Sequence, residues 1–168
     1  AEASGSIALA EGGQTTISIV VTAQDGTTTK TYQIVVSRAA SAVATLSGLA
    51  TTGTLGAAFS GASLSYTMSV ANAVSSVSFT PTSTSSVATI TANGASVTSG
   101  TAWVLAATAG QTTTATVIVV AQDGVTKKTY TVAVTRAAST VSTLGGLTPS
   151  SGSLSPSFVA GNNSYSLA

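Results

Sequence analysis

The sequence predicts an all-β chain of tandem immunoglobulin-like β-sandwich modules, about seven strands each, and three observations predict it. A long stretch repeats at an offset of 98 residues (121 − 23), short apolar runs alternate with turn residues, and charge is nearly absent. Residues 23–38, AQDGTTTKTYQIVVSR, match residues 121–136, AQDGVTKKTYTVAVTR, and the match runs on through AASAVATLSGL at 39–49 and AASTVSTLGGL at 137–147. After one inserted residue, Leu55, Phe59 and Tyr66 pair with Leu154, Phe158 and Tyr165 at an offset of 99 (154 − 55). On this alignment residues 40–138 form one complete module. Residues 1–39 are then the C-terminal part of a preceding module and residues 139–168 the N-terminal part of a following one.

Taken in order, the first fragment carries a hairpin around Asp25-Gly26, with Ile19, Val21 and Ala23 on one strand and Tyr32, Ile34 and Val36 on the next. These residues alternate along extended chain and share one face. The complete module opens with a candidate strand at 43–46, followed by a glycine-containing excursion, LSGLATTGTLGAAF, expected to be a loop. Strands are predicted at 64–70 and 74–80. Residues 88–92 and 95–98 flank Asn93-Gly94, a two-residue hairpin signal because both residues accept positive φ. Strands at 103–108, 114–121 and 128–135 complete the set, the last two joined around Asp123-Gly124. Val117, Val119 and Ala121, with Tyr130, Val132 and Val134, are expected to point into the core. β-Branched and turn residues fill the chain, so a helix of ordinary length has nowhere to form.

The opposite face of these hairpins carries Val20, Val35, Ile118 and Val120. Single apolar residues on a surface are normal. Four on one sheet face also make a candidate lateral contact between modules or subunits.

Composition excludes most chemistry. Only 5% of the 168 residues are charged and the formal net charge is +1, too little to steer the chain toward nucleic acid or an anionic membrane. There is no Cys and no His, so disulfides, Cys/His metal sites and Ser-His-Asp or Cys-His catalysis are unavailable. A glycosidase needs two carboxyl groups on one cleft, and the complete module has one, Asp123, which reads as a turn residue. The longest strongly apolar run, residues 117–121, is a strand's length and far short of a membrane span. The chain begins with no Met and no signal pattern, so it reads as processed or as an excerpt. No catalytic residue, cofactor or metal site is expected.

The segment AQDGVTKKTYTVAVTRAASTVSTLGGLTPSSGSLSPSF resembles the bacterial cadherin-like β-sandwich repeat family. In that family a hairpin motif of the form xAEDGTTKTYTVTVTRA closes one module and LxxLxxSxGxLxPxF opens the next. The resemblance implies an immunoglobulin-like module found in tandem in secreted and surface-anchored proteins, and it brings no catalytic residue. Cadherin-type calcium is not implied. The acidic residues are Glu2, Glu11, Asp25 and Asp123, and none lies in the junction segments RAASAV and RAASTV.

Four further residue types carry alternative readings. Trp103, the only Trp, has Gly5 as its counterpart; it is a candidate for stacking on a sugar ring, though a half-buried place at a strand start is favoured. Arg136 and its counterpart Arg38 end the last strand and are candidate junction contacts, able to bond carbonyls of an adjoining module or simply to be solvated. Lys128 and Lys30 read as solvated strand-end lysines rather than isopeptide partners, and Asn162 stands in an Asn-Asn-Ser glycan-acceptor pattern. The junction Ala-Ala-Ser has no Gly or Pro, so modules should be joined stiffly. The expected function is a non-catalytic structural segment of an extracellular fibre, filament or surface stalk, partnered by copies of itself or adjoining modules. The alternative is an adhesin or carbohydrate-binding module recognising glycans or a host surface. The out-of-phase ends fit either a segment of a longer tandem protein or a subunit completed by its neighbours.

Overall fold

The structure is a computed structural model that describes residues 5–168. All regular elements among these residues are strands: β1 (Gln14–Thr22), β2 (Thr29–Ser37), β3 (Leu46–Thr51), β4 (Ser65–Val70), β5 (Ser76–Ser83), β6 (Thr89–Ala92), β7 (Ala95–Val97), β8 (Trp103–Ala106), β9 (Thr112–Val120), β10 (Lys127–Arg136), β11 (Leu154–Ser155) and β12 (Ser166–Leu167). The chain divides into two compact units, one ending at Ala137 and one spanning Ala138–Ala168.

In the first unit, β3–β10 build a sandwich. One sheet has the order β4-β10-β9-β6-β7 and the other β3-β5-β8. Antiparallel pairing holds throughout except between β4 and β10, which run parallel with Tyr66 opposite Val132 and Met68 opposite Val134. The period-two pattern explains the burial: Ala115, Val117 and Val119 on β9 and Tyr130, Val132 and Val134 on β10 are at most 1% exposed, as the alternation predicts. Val77, Phe79 and Leu105 from the other sheet meet Tyr66, Met68, Val132 and Val134 in one apolar cluster. Ala44 and Leu46 meet Ile90, Val117, Val119 and Tyr130 in a second. Phe59 and Trp103 pack against both.

Tyr130 is the largest fully buried side chain, and its hydroxyl is satisfied twice. It donates to Gly61 O (2.9 Å) and accepts from Leu46 N (3.1 Å), which offsets the cost of taking a phenol out of water. Tyr66 fixes the start of β4 in the same way, its hydroxyl donating to Ser60 O (2.7 Å) and accepting from Ser60 N (2.9 Å) while its ring stacks on Phe59.

Two expectations are corrected. The first strand of the sandwich is not 43–46; it begins at Leu46 and runs through the glycine-containing segment expected to be loop. Gly48 marks a bulge rather than a break: Leu46 faces Ser83, Gly48 faces Thr82, and the extra residue Ser47 turns its Oγ toward Thr82 O and Ser83 O (3.2 and 3.3 Å). The strand expected at 74–80 is also shifted, running to Ser83 through Pro81. Proline is tolerated there because β8 pairs only as far as Phe79, so no ladder bond on that side calls for an N–H at Pro81, whose carbonyl accepts from Gly100 N (2.8 Å).

The hairpin turns follow sequence. Asn93 and Gly94 both take positive φ (45° and 85°) between β6 and β7. At the β9–β10 turn Asp123 Oδ1 accepts from Val125 N and Thr126 N, and Oδ2 from Thr126 Oγ1 (2.9, 2.8 and 2.6 Å). Asp25 repeats the arrangement at the β1–β2 turn with Thr27 and Thr28.

β1 and β2 form a separate two-stranded sheet. Its core-type face is open: Ile19, Tyr32 and Ile34 are 45–50% exposed, where Val117, Tyr130 and Val132 are at most 1%. The second unit pairs β11 with β12, Leu154 opposite Leu167. This reproduces the isolated bridge between Leu55 and Met68 in the sandwich. Its Phe158 stacks on Tyr165 (5.9 Å between centroids), whose hydroxyl bonds Val159 N and O, just as Phe59, Tyr66 and Ser60 are arranged (5.6 Å).

Candidate functional site

A network of hydrogen bonds ties the β1–β2 hairpin to the sandwich at the joint between them. Its chain connection is short, Arg38 ending the hairpin and Ser41 already bonded to the sandwich. On the hairpin side, Gly12 N donates to Ala39 O (3.2 Å) and Arg38 N to Gly13 O (2.9 Å), tying the connector to the turn before β1. On the sandwich side, Asp123 N donates to Ser41 O (3.1 Å). Gln122, beside it, accepts from Ser41 N through Oε1 (3.0 Å) and donates through Nε2 to Glu11 O (2.9 Å). The amide group lies directly over Gly12, where a Cβ would fall 2.6 Å from Nε2. Gly12 also has φ +68°, so two independent reasons call for glycine there.

Glu11 and Asp123 therefore both lie at the joint in space, although neither is in the junction segment; the expectation that acids stay away from it holds in sequence only. Their carboxylates are engaged locally. Glu11 pairs with Arg38 at 3.4 Å on the surface, and Asp123 is held by Val125 and Thr126. The Asp123 carboxyl is held below its ordinary range by the Thr126 hydroxyl first and then by the Thr126 and Val125 amides. Asp25 is lowered to about 2, chiefly by the Thr28 hydroxyl and amide. Among the described residues no group of three or more His, Cys, Asp or Glu could hold a metal ion. Glu2 lies outside the described residues.

Arg136, a candidate junction contact, donates from Nε and Nη2 to Asn72 O (2.8 and 2.5 Å) and from Nη1 to Ala107 O (2.8 Å), all in its own sandwich. Asn72 Nδ2 in turn donates to Ala137 O (3.0 Å). Arg38 Nη1 makes the corresponding bond to Leu9 O (3.0 Å), with Glu11 taking its second nitrogen. Both arginines close the pole of their own copy. The alignment could not show this, because carbonyl acceptors leave no mark in sequence.

Val20 and Val35 are 59% and 56% exposed, and the Ser18–Gln33 pair stands between them, so they do not form one patch. Ile118 and Val120 are half-buried on β9, flanked by Thr91 and Thr129 and by Thr89 and Lys127. Trp103 is half-buried at the start of β8, its ring 6.1 Å from that of Phe79, and it packs on both core clusters. Lys30 Nζ sits 5.5 Å from the Tyr32 ring centre, Lys128 is half-buried, and Asn162 is exposed. A hollow of about 390 Å³ in the second unit is lined by Leu144, Leu147, Phe158, Asn162 and Tyr165 among others. The aligned space in the sandwich, beside Leu46 and Gly61, takes the Tyr130 hydroxyl, so the hollow has the character of a core position rather than a reagent-lined cleft.

A β-sandwich of this kind, matched by a cadherin-like family model, is a structural or adhesion-type module. The chain belongs to the cadherin-like β-sandwich domain family: the family model described as "Cadherin-like beta sandwich domain" matches residues 2–39 and 43–137. A comparison with curated proteins finds no match. The fold type is non-catalytic, and among the described residues no helix is long and apolar enough to cross a membrane. Sequence reasoning missed Gln122 and Gly12. The available signal was that the glutamine recurs beside both Asp-Gly turns, at Gln24 and Gln122, although the turn itself uses only the Asp and Gly.

Proposed function

We propose that the chain is a non-catalytic structural segment of an extracellular fibre, filament or surface stalk, in which modules follow one another through stiff joints. The observation that carries this reading is the connector. Ala39 is bonded to the turn before β1, and Ser41 is bonded to the sandwich through both its N–H and its carbonyl, leaving little free chain between the two. A Gly/Ser linker would have no such partners.

The module division at 1–39, 40–138 and 139–168 belongs to this proposal, with other modules of the same kind as partners. The open core-type face of the hairpin, with Ile19, Tyr32 and Ile34 about half exposed, favours such a partner, since the same positions are closed over in the sandwich. The lateral contacts proposed between neighbouring rows are separate points, Val20 and Val35 on the two-stranded sheet and Ile118 and Val120 on β9, rather than one sheet face. An extracellular or cell-surface location suits a nearly uncharged β chain held by cores and turns.

Electron microscopy over a range of protein concentrations, run beside a glycan array, tests the reading. Fibres that lengthen with concentration, with no glycan retained, are expected. Specific glycan binding abolished by Trp103→Ala, with no fibres at any concentration, would replace it with the adhesin reading.

A further inference from the structure

The joint contains a recognition element that recurs in both copies of the last hairpin. Gln122 belongs to the sandwich yet spends its donor on Glu11 O of the preceding fragment, while its acceptor holds Ser41 N at the sandwich's own entry. The acceptor on the neighbour is main chain, so the identity of residue 11 is immaterial. What the neighbour must supply is a carbonyl followed by a glycine whose bare Cα leaves room for the amide, and Gly12 does so.

Both halves recur. Gln24 stands at the position of Gln122 and is exposed. Ala109 and Gly110 stand at the positions of Glu11 and Gly12 and are exposed as well. The platform is already built in the sandwich. Gly110 has φ +71° against +68° for Gly12, and Gly110 N is shared between Arg136 O and Ala137 O (3.0 and 3.4 Å) where Gly12 N donates to Ala39 O (3.2 Å). Arg136 N donates to Gln111 O as Arg38 N does to Gly13 O (3.0 and 2.9 Å).

We propose that the glutamine of the Gln-Asp-Gly turn is the docking residue by which each module locks onto the one before it, and that the Ala109–Gly110 turn is the receiving site for the glutamine of a following module of the same repeat. The interaction is directional. The turn between the last two strands always meets the pole of the preceding copy, and a module lacking glycine at the receiving position is refused because its Cβ would collide with the amide. This deepens the stiff-joint reading by naming the residue that holds the joint.

The native chain has no Cys, so spin labels placed by Ser18→Cys and Ser96→Cys, both exposed, report only the distance between hairpin and sandwich. The full chain is expected to give one narrow distance distribution. Gln122→Glu keeps the acceptor for Ser41 N but faces the Glu11 carbonyl with a second acceptor, and it should broaden or shift that distribution. Gln24→Glu, the same change at the unengaged copy, should leave it unaltered. As a second readout, side-chain amide exchange of Gln122 should be about fivefold slower than that of Gln24, the factor one ordinary hydrogen bond supplies. A narrow native distribution that Gln122→Glu does not change, or equal exchange rates, would overturn the glutamine lock while leaving the joint stiff. A broad native distribution would remove the stiff joint as well.

Discussion

Tyr130 shows how one side chain sets the cost of change in this fold. Its ring fills the second core cluster and its hydroxyl serves both Leu46 N and Gly61 O. Tyr130→Phe keeps the ring but leaves a buried amide and a carbonyl without that partner, and thermal unfolding should register a loss of about 1–3 kcal/mol. The aspartates act at the surface and answer to pH instead. Both carboxyls are depressed in the folded chain, so their turns contribute stability that is fully present above the unfolded aspartate value, about 4. That contribution is lost as pH falls through the folded value, which for Asp25 is about 2. An NMR titration of Asp25 should therefore show a midpoint near the folded value. Thr28→Ala should move it upward, because the Thr28 hydroxyl is the largest single cause of the shift. An unmoved midpoint would assign the depression to the amides alone.

At the scale of elements, the same strand pair occurs twice in different surroundings. Val132 lies in the core cluster of the sandwich, whereas Ile34, its counterpart, is half exposed on the two-stranded sheet. Val132→Ala should cost about 2 kcal/mol, in the range for a buried aliphatic side chain, and Ile34→Ala less than about 0.5 kcal/mol. Chemical denaturation of the two variants checks the contrast, and equal losses would mean that the hairpin face is covered in solution. These strands were legible in the sequence because alternation and the Asp-Gly turns are local signals, so β9, β10 and their faces are where the pattern put them. β3 was not legible. Gly48 speaks for a loop, and only the pairing of Leu46–Thr51 with a strand some thirty residues on, tolerant of a bulge at Ser47, makes it a strand. The end of β5 beyond residue 80 was not legible for the same reason, since a proline at 81 is tolerated only because of where β8 stops. The joint was half legible: the brevity of the connector could be read, but Gln122 reaching Glu11 O across 111 positions could not.

At the scale of the whole molecule, the proposed stiffness of the joint would rest on Gly12 as much as on Gln122. Gly12→Ala introduces a Cβ 2.6 Å from the Gln122 amide at a positive φ, so it should loosen the hairpin against the sandwich while the melting of the sandwich core stays close to native. Gly124→Ala is the control, a positive-φ glycine whose Cβ would meet nothing within 4 Å; it should strain the turn without freeing the joint. Heteronuclear relaxation of residues 14–37 against 46–136 separates the two. The central claim, that successive modules are held at a fixed angle, is tested most directly by residual dipolar couplings of the hairpin and the sandwich in one aligned sample of the chain. A single alignment tensor fitting both sets is the predicted result. Two tensors of different magnitude, with the hairpin averaged toward zero, would contradict it.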